Sequence, residues 1–149
     1  MAAALLVAGC GSNSGPKRLS HDDYVAAIDE IETSAPARDA ERRFFTLAAG
    51  AETSECVAGS KAFARDIHQI IGAVAALVPP ADVADLQARF LVAARQSSAK
   101  IDLLAKDVAA YRVDCGSDWN HRAYALPSTI RAQKAMTELA RRYDLAGGD

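Results

Sequence analysis

Apolar positions in the middle of the chain recur at helical spacing. Cys56, Phe63, Ile70 and Leu77 fall seven residues apart, and Ser60, Ile67 and Val74 interleave with them. The result is one continuous stripe from Phe63 to Leu77, the signature of a helix packed along its length. Pro79-Pro80 closes that helix and predicts a tight reversal. A second stripe follows from about Ala81. Val83, Phe90, Ser97, Leu104 and Tyr111 recur every seven residues, with Leu86, Ala93, Ile101 and Val108 between them. It runs for close to ~30 residues, or ~45 Å of helix. The opposite face carries Asp82, Asp85, Arg89, Arg95, Lys100, Asp102, Lys106 and Asp107, and reads as solvated.

Shorter elements flank this pair. At Leu19-Ser20-His21-Asp22-Asp23-Tyr24, Ser20 can accept from the backbone N–H of Asp23, and Asp22 and Asp23 sit at the positive end of the helix dipole. Leu19 and Tyr24 hold the two ends of a hydrophobic staple, and Tyr24, Ile28 and Ile31 follow at helical spacing. Ala35-Pro36 is expected to end or kink this helix. A second piece, about Ala37 to Ala49, carries Phe44, Phe45 and Leu47 and stops at Gly50. Asp114 to Asp118 reads as a loop, and Trp119 to Tyr124 as irregular or one short turn of helix. The last helix is expected from Pro127 to about Leu145, with Ile130, Met136, Leu139, Ala140 and Tyr143 on its apolar side and Gly147-Gly148 at its end. No strand alternation and no internal repeat appears. The expected fold is all-α, an antiparallel helical bundle of about four main helices spanning residues 19–149.

Composition agrees with that picture. A chain of 149 residues fits one domain with its own core. Half of the residues are hydrophobic and only 6% are aromatic, with alanine abundant. The formal net charge of −2 supplies no basic excess for nucleic acid, and no nucleic-acid partner is expected.

The first nine residues form an uncharged, mostly apolar run, too short for the ~20 residues that a spanning helix needs. An apolar stretch and a small-residue cleavage site are the later two parts of a secretory signal. The basic start is missing, and a start upstream of Met1 is the expectation that would supply it. Val7-Ala8-Gly9-Cys10 resembles a bacterial lipobox, in which an aliphatic residue, a small residue and Gly or Ala precede a cysteine. The resemblance implies cleavage before Cys10 and a diacylglycerol on its sulfur, the two-chain anchoring that holds a protein stably to a bilayer. Residues 1–9 are then a discarded signal, and 10–18 are the lipidated cysteine and a flexible tether. The run Gly11 to Lys17 would average ~15 Å end to end as a Gly/Ser-type coil. With its short polar tether, its Leu19-Ser20 to Tyr24 helix start and its Ala/Arg-rich helical body, the whole chain is similar to small lipoproteins of high-GC Gram-positive bacteria. That resemblance implies an extracytoplasmic, lipid-anchored position on the cell membrane. It brings no active-site residues and no cofactor beyond the lipid.

Consuming Cys10 leaves Cys56 and Cys115, and in an oxidising compartment two remaining cysteines usually pair. In a strict hairpin, however, Cys56 lies 23 residues before Pro79 and Cys115 lies 35 residues after Pro80. The offset of 12 residues corresponds to ~18 Å at helical rise. Pairing therefore requires the loop from Val113 to Asp118 to fold back, or the chain near Cys56 to swing upward.

Candidate chemistry is sparse. His21, His68 and His121 show no metal-ligand spacing, and no metal site is expected. Asp66 and His68 are two apart on a helix and do not face each other, which makes His68 a boundary residue. Ser97, on the apolar stripe, reads first as a small residue that lets helices approach, and only second as a polar contact at the base of a pocket. No nucleophile, base and orienting group assemble, and no enzyme is expected. Trp119, His121, Arg122 and Tyr124 form a candidate interaction surface; the alternative is that Trp119 plugs one end of the bundle while its polar neighbours face water. Two functions remain. The preferred one is a non-catalytic envelope lipoprotein that docks a protein partner or plays a structural role, which predicts an exposed patch near Trp119 and no deep cavity. The second is a tethered binding module with an apolar-ligand pocket between helices, lined by residues such as Phe63, Ile67, Phe90 and Leu104.

Overall fold

The two long stripes are the two longest helices of the protein. The computed structural model describes residues 17–124 and 127–142, and every regular element in it is helical. In chain order these are α1 (His21–Glu32), α2 (Ala35–Ala49), α3 (Thr53–Ala76), α4 (Ala84–Ala109), α5 (Ser117–Tyr124) and α6 (Pro127–Arg142). The expected all-α bundle is what forms. Its four main members are α2, α3, α4 and α6, with α2 packed on α3, α3 on α4 and α4 on α6. Neighbours run antiparallel: Arg43 of α2 reaches Asp66 of α3, while Arg89 and Gln96 of α4 reach Glu138 and Arg131 of α6. Cys10 and its tether up to residue 16 lie outside the described residues, as do the side chains of Tyr124, Met136, Ala140 and Tyr143.

Local signals set most helix ends. Ser20 Oγ accepts from Asp23 N at 3.2 Å, and Leu19 and Tyr24 meet in one buried cluster. The break before α2 falls earlier than the proline suggests. Ser34 Oγ accepts from Ala37 N, so α2 begins at Ala35 and takes Pro36 into its first turn, where a missing N–H costs nothing. Gly50 ends α2 with a φ of 100°.

At the end of α4 the stripe is misleading. The helix stops at Ala109, and Tyr111 adopts a φ of 56° with its side chain 76% exposed. Tyr111 N donates to Val108 O and Arg112 N to Asp107 O, the paired bonds of a Schellman cap whose left-handed position glycine usually fills. The trailing carbonyls are satisfied, and the tyrosine leaves the heptad face. Among the described side chains of α6 the buried ones are Ser128, Ala135 and Leu139, while Ile130, expected on the apolar face, is 46% exposed.

Two clusters fill the interior. Tyr24 and Ile28 of α1 close one end against Val74, Val83, Leu86 and Leu139. There the buried Gln87 acts as a C-terminal cap for α3: its Nε2 donates to Val74 O at 3.2 Å and to Leu77 O at 3.1 Å, and its Oε1 accepts from Tyr24 Oη at 2.8 Å. The second cluster joins α2, α3, α4 and α5 around Leu47, Phe63, Leu104 and Trp119. Here α2 and α3 approach at Gly59, where an added Cβ would sit 2.9 Å from Leu47 Cδ2. Buried Asp66 is held by Arg43, whose Nε donates to Oδ2 at 2.9 Å.

Cys56 and Cys115 are joined in a disulfide, with a Cα–Cα distance of 5.8 Å. The hairpin offset closes because α4 stops at Ala109, before it reaches Cys115. The left-handed turn at Tyr111 then sends the chain back along the bundle. Gly116 N donates to Leu47 O at 2.8 Å, and Gly116 abuts the backbone of Gly50.

Candidate functional site

In a closed four-helix bundle the first and last helices would meet. Here α2 and α6 make no extended contact, and the order α2-α3-α4-α6 is left open along one side. The opening is a groove of about 900 Å³, within the ~300–1,000 Å³ range of small-molecule sites. Phe63, Ile67 and Ile71 of α3 form its floor together with Phe90, Ala94 and Ile101 of α4. Phe44 and Phe45 line the α2 wall, and Phe45 is 63% exposed. The α6 wall is built from small and polar side chains, Thr129, Ala132, Gln133 and Thr137.

The same heptad residues that pack the hairpin also point into this opening, because a helix stripe wider than one partner needs a second to cover it. Of the four residues expected around a pocket, Phe63, Ile67 and Phe90 line the groove. Leu104 is buried in the core beneath Trp119 instead. An aromatic cluster supports one end: the ring of Phe44 lies 6.3 Å from that of Phe63 and 5.7 Å from that of Trp119, and Phe63 and Trp119 are 5.4 Å apart.

Charge is scarce in the groove. Among the described residues that line it, Glu41 on the α2 rim is the sole ionisable side chain. Its polar feature near the floor is a hydroxyl pair, Ser97 Oγ and Thr129 Oγ1, 2.7 Å apart across the α4–α6 seam. Ser97, expected first as a small spacer between helices and second as a pocket-base contact, meets Thr129 of α6 across the seam and also lines the groove. Thr129 was missed: the apolar side assigned to α6 ran through Ile130, whereas the side facing the groove is small and polar.

The other proposed surface does not assemble around its tryptophan. Trp119 is 1% exposed and belongs to the core, plugging the α5 end of the bundle. His121 and Arg122 face solvent on the far side of α5, with Arg122 Nε donating to Asp118 at 3.1 Å. The Tyr124 side chain lies outside the described residues.

A serine, a histidine and an aspartate do come together elsewhere. His68 Nε2 lies 3.0 Å from both carboxylate oxygens of Asp102, and Ser98 Oγ is 3.3 Å from both ring nitrogens. A nucleophile–base–orienter relay needs the serine and the carboxylate on opposite nitrogens. Here the serine touches the ring edge between them and is 3% exposed, so the trio acts as a polar clasp between α3 and α4. Asp102, read as solvated from the pattern, is its third member; Ser98 and Asp102 stand one turn apart on α4, a spacing that signals a shared face.

No group of three or more potential metal ligands converges among the described residues. None of the described helices is long and apolar enough to cross a membrane. A charged depression between α4 and the outer side of α6, about 710 Å³, holds Arg89, Arg131, Lys134 and Glu138. Arg89 is matched by Asp85 and Glu138, and Arg131 by Gln96. Near the start of α4, the exposed Asp82 carboxyl is held below its ordinary value, first by a hydrogen bond from His21. Neither feature reaches the groove. No protein-family model, no curated protein and no solved structure matches this chain.

Proposed function

We propose that this protein is a membrane-tethered, extracytoplasmic binding module that holds an apolar or amphipathic small molecule in the groove between α2 and α6. The single observation that carries the reading is the concave apolar opening between α2 and α6, where among the described residues Ile67, Ile70 and Phe90 are half-buried and Phe45 is exposed, and which is lined with three of the residues the pocket reading named. Burying a ~12-carbon tail there gains roughly 10 kcal/mol at ~0.8 kcal/mol per methylene. Subtracting an association cost of at least ~4 kcal/mol leaves a Kd on the order of tens of micromolar. Protein docking through Trp119 fits less well, since that side chain is committed to the core.

The tethered position is supported by the lipobox-like Val7-Ala8-Gly9-Cys10 and by the disulfide, a bond that persists in oxidising compartments. A tether of a few residues would hold the groove within about one domain diameter of the bilayer.

The test is binding of a neutral, polarity-sensitive dye such as Nile red to the purified chain and to Ala132→Trp. Ala132 is half-buried on the α6 wall, so the larger ring enters the groove without displacing core atoms. Saturable binding weakened at least tenfold by the substitution is the expected result. Equal binding by both proteins, or none by either, rejects the groove. The anchor is tested separately by palmitate labelling in a bacterial host: incorporation lost on Cys10→Ser is expected, and labelling that persists refutes it.

A further inference from the structure

The groove's polar equipment narrows what it takes. We infer that the Ser97–Thr129 hydroxyl pair is the head-group site of the groove, and that the ligand is an uncharged, hydroxyl-bearing amphiphile rather than a fatty acid or a phosphate ester. This rests on the groove reading and deepens it.

The first ground is hydrogen-bond capacity. Each hydroxyl carries one donor and two acceptor lone pairs. The 2.7 Å bond between Ser97 and Thr129 uses one donor and one lone pair. One O–H and three lone pairs remain, with no other partner for either hydroxyl among the described residues. Ser97 is 7% exposed, so this capacity is presented beside the apolar floor rather than to bulk water. A ligand hydroxyl both donates and accepts, and can satisfy the pair while its tail lies along Phe90, Ile67 and Phe63.

The second ground is charge. No cationic side chain lines the groove among the described residues, and the one ionisable group there, Glu41, is acidic. A carboxylate or phosphate placed at Ser97 would lose water without gaining a counter-ion, next to an apolar floor. The available cations, Arg89, Arg131 and Lys134, stand in the depression on the other side of α6.

The experiment compares 1-dodecanol with dodecanoate at pH 8, where the acid is ionised, as displacers of Nile red from the folded chain. Expected is displacement by the alcohol at least tenfold more tightly than by the carboxylate. The double variant Ser97→Ala/Thr129→Val should weaken the alcohol about tenfold, the factor of roughly one net buried hydrogen bond, once its displacement constant is corrected for the variant's own Nile red affinity. An unchanged Trp119 emission spectrum shows that the variant is folded. If dodecanoate displaces the dye as well as dodecanol does, or if the double variant binds the alcohol as the parent does, the head-group assignment is wrong while the groove stands. If Nile red does not bind the parent at all, both are wrong.

Discussion

Replacing Cys56 and Cys115 with alanine should remove about 4 kcal/mol of stability. The two residues are 59 apart in sequence. Opening a loop of that size returns ~14 cal/mol/K of entropy to the unfolded chain in the loop-closure treatment, or ~4 kcal/mol at 25 °C. Against the 5–15 kcal/mol typical of a domain this is a large share, and at roughly 4 °C per kcal/mol it lowers Tm by about 15 °C. Trp119 is a built-in probe. It is the only tryptophan, is fully buried, and lies four residues beyond Cys115, so its fluorescence reports the region that the bond secures. Urea unfolding of the parent and the double variant, followed by that fluorescence, should show a lower midpoint and a somewhat steeper slope, because the unlinked chain exposes more surface on unfolding. A stability loss below ~1 kcal/mol would refute the reasoning: the Gly50–Gly116 contact and the Gly116-to-Leu47 hydrogen bond would then hold the fold-back segment without the covalent link.

Two other perturbations probe the buried polar contacts. Tyr24→Phe removes the donor to Gln87 Oε1 and should cost about 1–3 kcal/mol in chemical denaturation; a neutral result would show that the capping of α3 by Gln87 does not depend on the tyrosine. Arg43→Ala strips the main partner from the buried Asp66 carboxylate and should destabilise by about 3 kcal/mol, much of it recovered in Arg43→Ala/Asp66→Leu, where no charge is left buried. No recovery in the double variant would contradict that explanation.

The helices were legible because their signals are local and redundant. Seven-residue spacing marked α3 and α4, Ser20 marked the start of α1, and Gly50 marked the end of α2. Tyr111 was not legible: its Schellman cap places an ordinary side chain where glycine is expected, so the heptad carried on past the true helix end. That same turn makes the Cys56–Cys115 bond reachable, and the bond could be argued only from cysteine parity and compartment. Of the groove, the floor was readable as over-wide apolar stripes on α3 and α4. The opening was not, because whether α6 closes on α2 depends on how helices distant in sequence are placed. Trp119 attracted a functional reading as a rare aromatic among polar neighbours; α5 directs the indole inward and His121 and Arg122 outward, a distinction that appears once the helix forms.

An open side on an otherwise well-packed bundle leaves Phe45 exposed and Phe90 half-buried while Phe63 stays in the core, the arrangement on which the proposed binding of a molecule with an apolar body rests. The most direct test is native mass spectrometry of the chain purified gently from the cells that produce it, alongside Ala132→Trp prepared in the same way. The account predicts a non-covalent small-molecule adduct on the parent that is absent from the variant. An identical adduct on both, or a bare chain in both, would contradict it.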